Sequence, residues 1–198
     1  MDKRGIYRLL AHPRAYGLKT RLLSLGRPSV RDYLRAHHAP RVDGPVLDVA
    51  CGTATRLADL GPRAVGVDIS PPYLAFGQRH APGRLAQMDA ARLAFPDGTF
   101  VLVTAVGLCH HLPDDAVRAA AAELRRVTRR GGEAVIVDGV LPGWRRPLGQ
   151  ALFACDRGGH TRTLGALAAL LGPLGYACAC PCVPGGFPFH RAVFTAPG

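Results

Sequence analysis

Lysine is almost missing from this chain. Only Lys3 and Lys19 are lysine among its 25 basic residues, and the basic excess over 14 acids leaves a net charge of +11. The arginines are scattered through Ala-, Gly- and Pro-rich sequence, the composition bias of a GC-rich genome, and pairs such as Arg125-Arg126 and Arg129-Arg130 read as a solvated helix face. Nucleic acid is therefore not expected as a partner. The positive excess favours an anionic small-molecule substrate or an acidic carrier protein. No apolar run reaches the ~20 residues needed to span a bilayer, and Met1-Asp-Lys-Arg-Gly5 lacks the apolar stretch of a signal peptide. We expect no membrane partner and a soluble, cytoplasmic protein. Six cysteines are too few and too scattered for a disulfide scaffold. Cys178-Ala-Cys-Pro-Cys182 would align three thiols on one strand face. Zinc sites space paired cysteines by about two to four residues, however, and no second ligand pair is evident, so no metal is expected. These cysteines read as small buried strand residues. There are no internal repeats, and 198 residues make one domain with a full core.

The Gly-x-Gly-x-x-Gly loop is also absent. Residues 45–54, Pro-Val-Leu-Asp-Val-Ala-Cys-Gly-Thr-Ala, instead carry small residues at alternate positions, Ala50, Gly52 and Ala54. Val46, Leu47 and Val49 read as a buried strand, and residues 55–60 as the first turns of a helix. A strand that ends in a small-residue turn and opens a helix is a ligand cradle, because backbone can approach the ligand and helix-start N–H groups are unpaired. A methyl group at Ala54 is tolerable only at negative φ, which is what we expect there. Residues 64–68 form a second apolar strand ending in Asp68, 20 residues after Asp48. In a nucleoside-binding βαβ unit a carboxylate there accepts both ribose hydroxyls.

Elsewhere the chain alternates strands and helices. Residues 1–44 carry helical stripes, the last opened by Pro28 and marked by Val30, Tyr33 and Leu34. A helix is expected at 70–80, capped by Ser70, and a third strand over 84–90 ending in Asp89. Residues 101–106 read as a central parallel strand, buried on both faces. It leads into Gly107-Leu-Cys-His-His-Leu112, placed where open α/β sheets bind ligands. His110 and His111 are adjacent and are expected to point in different directions. A helix at 114–130 puts Val117, Leu124 and Val127 on the sheet, and Gly131-Gly132 turns into a fifth strand ending in Asp138. Periodicity is lost over 139–161. Thr163 caps a last helix, and residues 175–183 and 189–195 read as a closing hairpin.

Asp48 with Ala50, Gly52 and Ala54 resembles the first motif of the class I S-adenosylmethionine (SAM)-dependent methyltransferases. Ala94-Phe-Pro-Asp-Gly-Thr-Phe100, Leu108-Cys-His-His-Leu112 and Arg129-Arg-Gly-Gly132 are similar to later motifs of the ubiquinone- and menaquinone-biosynthesis-like branch (methyltransferase domain 11 type). The resemblance covers residues 45–141. Departures are Ala54 for the usual glycine, Val101 for aspartate and Arg130 for proline.

The resemblance implies an α/β, Rossmann-like class I methyltransferase fold. Its sheet would have seven strands, mostly parallel with an antiparallel last strand, and helices on both faces. One domain is implied, with a helical cap at 1–44, a SAM-binding core at 45–141, and a substrate-side segment with the closing hairpin at 142–198. It implies SAM as cofactor and S-adenosylhomocysteine (SAH) as product, held by Asp48, Ala50, Cys51, Gly52, Ala54, Asp68, Ile69, Asp89, Ala90, Val106 and Gly107. Tyr7, Tyr16 and Trp144 are lid or substrate candidates, and His110, His111 and His160 are candidate general bases.

Three functions are compatible with this. The first is methyl transfer to an oxygen, nitrogen or carbon of a small molecule, in bacterial secondary or quinone-like metabolism. The second is a cyclisation or rearrangement that binds SAM without spending its methyl group. The third, an RNA or protein methyltransferase, is disfavoured: Pro71-Pro72-Tyr73 follows the second strand and Ser70, whereas nucleic-acid amino-methylating enzymes carry that tripeptide after the fourth strand behind Asp or Asn.

Overall fold

Short apolar runs bounded by glycine and proline build one seven-stranded sheet. It is seen in a computed structural model that describes residues 30–38, 43–141, 159–181 and 190–198. The strands are β1 (Val46–Val49), β2 (Ala64–Asp68), β3 (Leu85–Gln87), β4 (Phe100–Val106), β5 (Thr128–Val140), β6 (Ala177–Cys180) and β7 (His190–Pro197). Their spatial order is β3-β2-β1-β4-β5-β7-β6. The pairs from β3 to β5 are parallel, and β7 runs antiparallel to both β5 and β6. The expected sheet is present, with the antiparallel last strand inserted between β5 and β6. Tyr7, Tyr16, Trp144 and Cys182 lie outside the described residues.

Strand side chains alternate between two cores. Leu47, Val103, Ala105, Ile136 and Phe194 face one layer, which holds helix α3 (Asp114–Val127) and helix α4 (Leu164–Leu171). Val117, Leu124 and Val127 of α3 are buried there, as their spacing predicts. Val46, Leu102, Val135, Val137 and Val193 face the other layer, with Val30 and Leu34 of helix α1 (Val30–His37). The short helix α2 (Pro71–Gly77) packs by Gly77 against Leu85 and Ala54 on that same side. Helices therefore cover both faces. His38, just past α1, pairs with Glu133 at 2.8 Å. Glu133 is in register with Leu102, and Leu102 with Val46. The end of α1 is thus anchored at the N-terminal end of β1, away from the loop that follows β1.

Four expectations are corrected. Residues 55–60 do not open an α-helix: only a 3-10 turn forms, Leu57–Leu60. The β1–β2 connection is just residues 50–63, and Gly61-Pro62 ends it. Strand β3 stops at Gln87, two residues before Asp89. The Gly131-Gly132 pair lies within β5, beside a register shift at Phe100–Leu102, and does not form a separate turn. Strand β6 is the sheet edge, so Ala177, Cys178 and Ala179 are exposed and not buried. Among the described residues no cluster of His, Cys, Asp and Glu suits a metal, and no helix is long and apolar enough to cross a membrane.

Gly66 of β2 fixes how the loop after β1 sits. A Cβ there would stand 2.8 Å from Cys51 Sγ and 2.9 Å from Leu85 Cδ2. Gly66→Ala should therefore overpack this contact and destabilise the fold by ~1–3 kcal/mol. Urea unfolding of Gly66→Ala, and of Gly66→Ala with Cys51→Ala, checks this. The second substitution should recover part of the loss, and an unchanged midpoint in the single variant would contradict the packing.

Candidate cofactor and catalytic site

The loop after β1 is built on left-handed residues at every second position. Ala50, Gly52 and Ala54 have φ of 56, 57 and 56°. The expected negative φ at Ala54 is overturned. A left-handed alanine costs ~1–2 kcal/mol, and burial offsets it here: Ala54 is 1% exposed, in the same core as Leu57, Leu60 and Ala64. Hydrogen bonds hold the strained loop. Cys51 N–H donates to Val67 O at 3.0 Å and Ala54 N–H to Cys51 O at 3.0 Å. Cys51 points its thiol inward at Gly66, so only its backbone faces outward. A Cβ built at Gly52 would meet nothing within 4 Å, so that side of the loop opens onto free space.

Asp68 ties the loop to the next element. Its Oδ2 accepts from Gly52 N–H and its Oδ1 from Ser70 N–H, each at 2.8 Å. Ser70 is the N-cap of α2 by position, but its side chain makes no cap hydrogen bond. A carboxylate has about four acceptor sites, so Asp68 keeps acceptor capacity on both oxygens. Ile69 follows it, 65% exposed and the one exposed large hydrophobic residue among those described. Met88 N–H donates to Asp68 O, which brings Asp89 and Ala90 alongside. Asp89 closes a small turn, its Oδ1 accepting from Ala91 N–H at 2.9 Å.

Asp48 is buried completely. Its Oδ1 accepts from the Thr104 hydroxyl at 2.9 Å, and its Oδ2 from Arg56 Nη2 at 3.4 Å. Burial pushes its pKa up, opposed by the Arg56 charge and the Thr104 hydrogen bond. The carboxylate is thus withdrawn from solvent.

The second half of the site starts one residue beyond the paired Val49 and Ala105, where Ala50 and Val106 lead into neighbouring turns. Gly107 has φ 73° and donates its N–H to Val137 O at 2.8 Å. This left-handed step, which favours glycine, feeds a 3-10 turn at Cys109–His111. His110 Nδ1 lies 2.7 Å from Asp138 Oδ1, with the His110 side chain 13% exposed and Asp138 1% exposed. The other Asp138 oxygen accepts from Cys109 N–H. His110 and His111 do not diverge as expected: the tight turn brings their ring centroids to 4.0 Å. His160 is exposed, and its backbone N–H donates to His110 O at 3.1 Å.

Arg162 clamps this turn. It donates to Cys109 O at 2.8 Å, His160 O at 2.9 Å and Leu112 O at 2.8 Å, and it pairs with Asp114 at 2.6 Å. Sequence reasoning missed Asp138, Arg162, Thr104 and Arg56 as site residues. An acid at a strand end, the pattern of Asp48 and Asp68, was a usable signal for Asp138. No local signal marks Arg162, which binds backbone carbonyls.

Residues 46–132 match the family described as "Methyltransferase domain". Over this stretch the chain carries a class I SAM-dependent methyltransferase domain. It is 40% identical over 141 residues to the demethylmenaquinone methyltransferase of Beutenbergia cavernae, covering 66% of this chain and 56% of that protein. It is 39% identical over 101 residues to the 2-methyl-6-phytyl-1,4-hydroquinone methyltransferase of Synechocystis, covering 47% and 31%. The chain therefore spans little more than half of the first relative and under a third of the second. In fold it is similar to a solved TehB-like SAM-dependent methyltransferase from Corynebacterium glutamicum, with a TM-score of 0.67 at 19% identity over 95% and 99% of the two chains.

SAM is the cofactor of this family, and three features of the methyltransferase domain fit it. Asp68 keeps acceptor capacity for hydroxyls, exposed Ile69 offers an apolar face beside it, and the Gly52 loop opens outward where side chains would intrude.

The buried thiols give a direct test of the loop geometry. Burial pushes Cys51 up to about 12 and Cys109 well above its ordinary value. At pH 8 roughly one Cys51 in 10⁴ is then ionised. Thiol labelling followed by peptide mass mapping should therefore modify exposed Cys178 far faster than Cys51 or Cys109. Rapid labelling of Cys51 would contradict its inward packing.

Proposed function

We propose that this chain transfers the methyl group of SAM to a small acceptor of the phenol or quinol class. The site lies between the residue 50–54 loop and the His110 turn. The observation that carries the acceptor side is the pairing of half-buried His110 with buried Asp138, at the C-terminal end of the sheet where open α/β folds take their ligands. The relatives add support, being named for a menaquinone and a hydroquinone.

SAM, when bound, supplies an electrophilic methyl on a sulfonium centre. Everything else falls to the chain. Asp68 accepts the ribose hydroxyls on the lone pairs left by Gly52 and Ser70. Ile69 lies against the base, and Asp89–Ala90 form the neighbouring edge. The backbone of Ala50, Cys51 and Gly52 takes the amino acid end, with Asp48 behind it. Val106 and Gly107 wall the reactive end.

Asp138, an acceptor, fixes the His110 imidazole with Nδ1–H toward itself, which makes Nε2 the proton-accepting nitrogen. As an acceptor hydroxyl attacks, its proton moves to Nε2. The resulting imidazolium is stabilised by Asp138, held in turn by Cys109 N–H. We assign the base to His110, whose Nδ1 lies 2.7 Å from the buried Asp138 carboxylate.

Asp68→Ala should weaken SAM binding by ~1.5–3 kcal/mol, the range for hydrogen bonds to a charged group. Isothermal titration calorimetry reads this, and unchanged affinity would remove the ribose assignment. Mass analysis of SAH release against a panel of phenols, quinols and amines tests the reaction. SAH should appear with phenols or quinols. SAM binding without SAH from any acceptor would favour a non-methylating reaction instead. His110→Ala and Asp138→Asn should leave SAM affinity nearly intact while turnover falls by ~10²–10⁴-fold for His110→Ala, the range for losing a general base. Undiminished turnover in both variants would eliminate the base.

A further inference from the structure

Arg56 stands in the cofactor cradle with its hydrogen-bonding capacity almost unused. Its side chain is half-buried, 24% exposed. Of five guanidinium donors, one is engaged among the described residues: Nη2 to Asp48 Oδ2, at a long 3.4 Å. Its Nε is buried and has no partner. A buried charged donor left in this state is destabilising, and an anionic acceptor would satisfy it.

Asp48 does not fill that need. It is itself fully buried, shares its charge with the Thr104 hydroxyl, and is pushed by burial toward its neutral form. The local fold explains why the arginine is here. The β1–β2 connection spans only residues 50–63, and its 3-10 turn takes Arg56 as the N-cap residue, returning the side chain to the end of β1. The guanidinium is thereby held beside the loop carrying Ala50, Gly52 and Ala54.

We propose that Arg56 recognises the α-carboxylate of the cofactor's amino acid portion. Carboxylate is the one anionic group on SAM and SAH, and the planar fork of arginine matches it in a two-pronged hydrogen bond. Asp48 then keeps Arg56 in place. The site would thereby discriminate SAM from adenosyl sulfonium or thioether compounds lacking the carboxylate. This rests on the cradle assignment above.

The test is calorimetry on the full chain with two ligands, SAH and its decarboxylated analogue, S-adenosyl-3-thiopropylamine. The wild-type chain should bind SAH at least ten-fold more tightly. Arg56→Met should weaken SAH by at least ten-fold and the amine by less than two-fold, closing the gap. Arg56→Lys should retain part of the preference. Because Arg56→Met leaves Asp48 without its cation, Asp48→Asn/Arg56→Met is measured alongside, with thermal unfolding as the control for folding; it should show the same closed gap. Equal loss for both ligands in the two methionine variants, or a gap that survives them, would overturn the role of Arg56. So would a wild-type chain that does not distinguish the ligands. Failure of the wild-type chain to bind SAH at all is a different result, and would overturn the cradle itself.

Discussion

The site depends on one buried carboxylate. Asp68 is 8% exposed at the end of β2, and its two oxygens hold Gly52 N–H and Ser70 N–H at once. One bond restrains a loop with two alanines in the left-handed region, and the other fixes the entry to α2. Without it the loop would be free to relax its ~1–2 kcal/mol per strained alanine into another shape. The strain is tolerated because Ala54 is buried in a packed core and because hydrogen bonds to Val67 O and Asp68 over-determine the turn.

The same device recurs at other strand ends. Asp48 closes β1 and accepts from Thr104 of β4. Asp138, near the end of β5, accepts from Cys109 N–H and orients His110. Each carboxylate is buried, and each bonds to a neighbouring strand or turn. Parallel strands end at one edge of the sheet, so their terminal acids converge there. The sheet thus supplies rigid carboxylates, and the loops supply the groups that meet ligands. Arg162, drawing together Cys109, Leu112 and His160 through their carbonyls, gives the His110 turn a similar restraint from the far side.

Much of this was legible in the sequence because it is local. Val46, Leu47 and Val49 before Ala50-Cys51-Gly52, and an acid 20 residues on, state both the strand-to-turn unit and its partner. What was not legible depends on distance or on tertiary position. Leu57 and Leu60 suit a helix by spacing, but a connection of residues 50–63 leaves room only for a 3-10 turn. The sign of φ at Ala54 is decided by the core that buries its methyl. Cys178 lies exposed because β6 is the sheet edge, which a run of four small residues does not announce. His110 and Asp138 are 28 residues apart and meet only because Val106 and Val137 are in register across β4 and β5.

The most direct test of the account is a crystal structure of the chain with SAH bound. The ribose hydroxyls should lie on Asp68, the base against Ile69, and the sulfur beside Gly107 on the side of His110. A ligand lying elsewhere, or one bound over the residue 50–54 loop with its ribose away from Asp68, would contradict it.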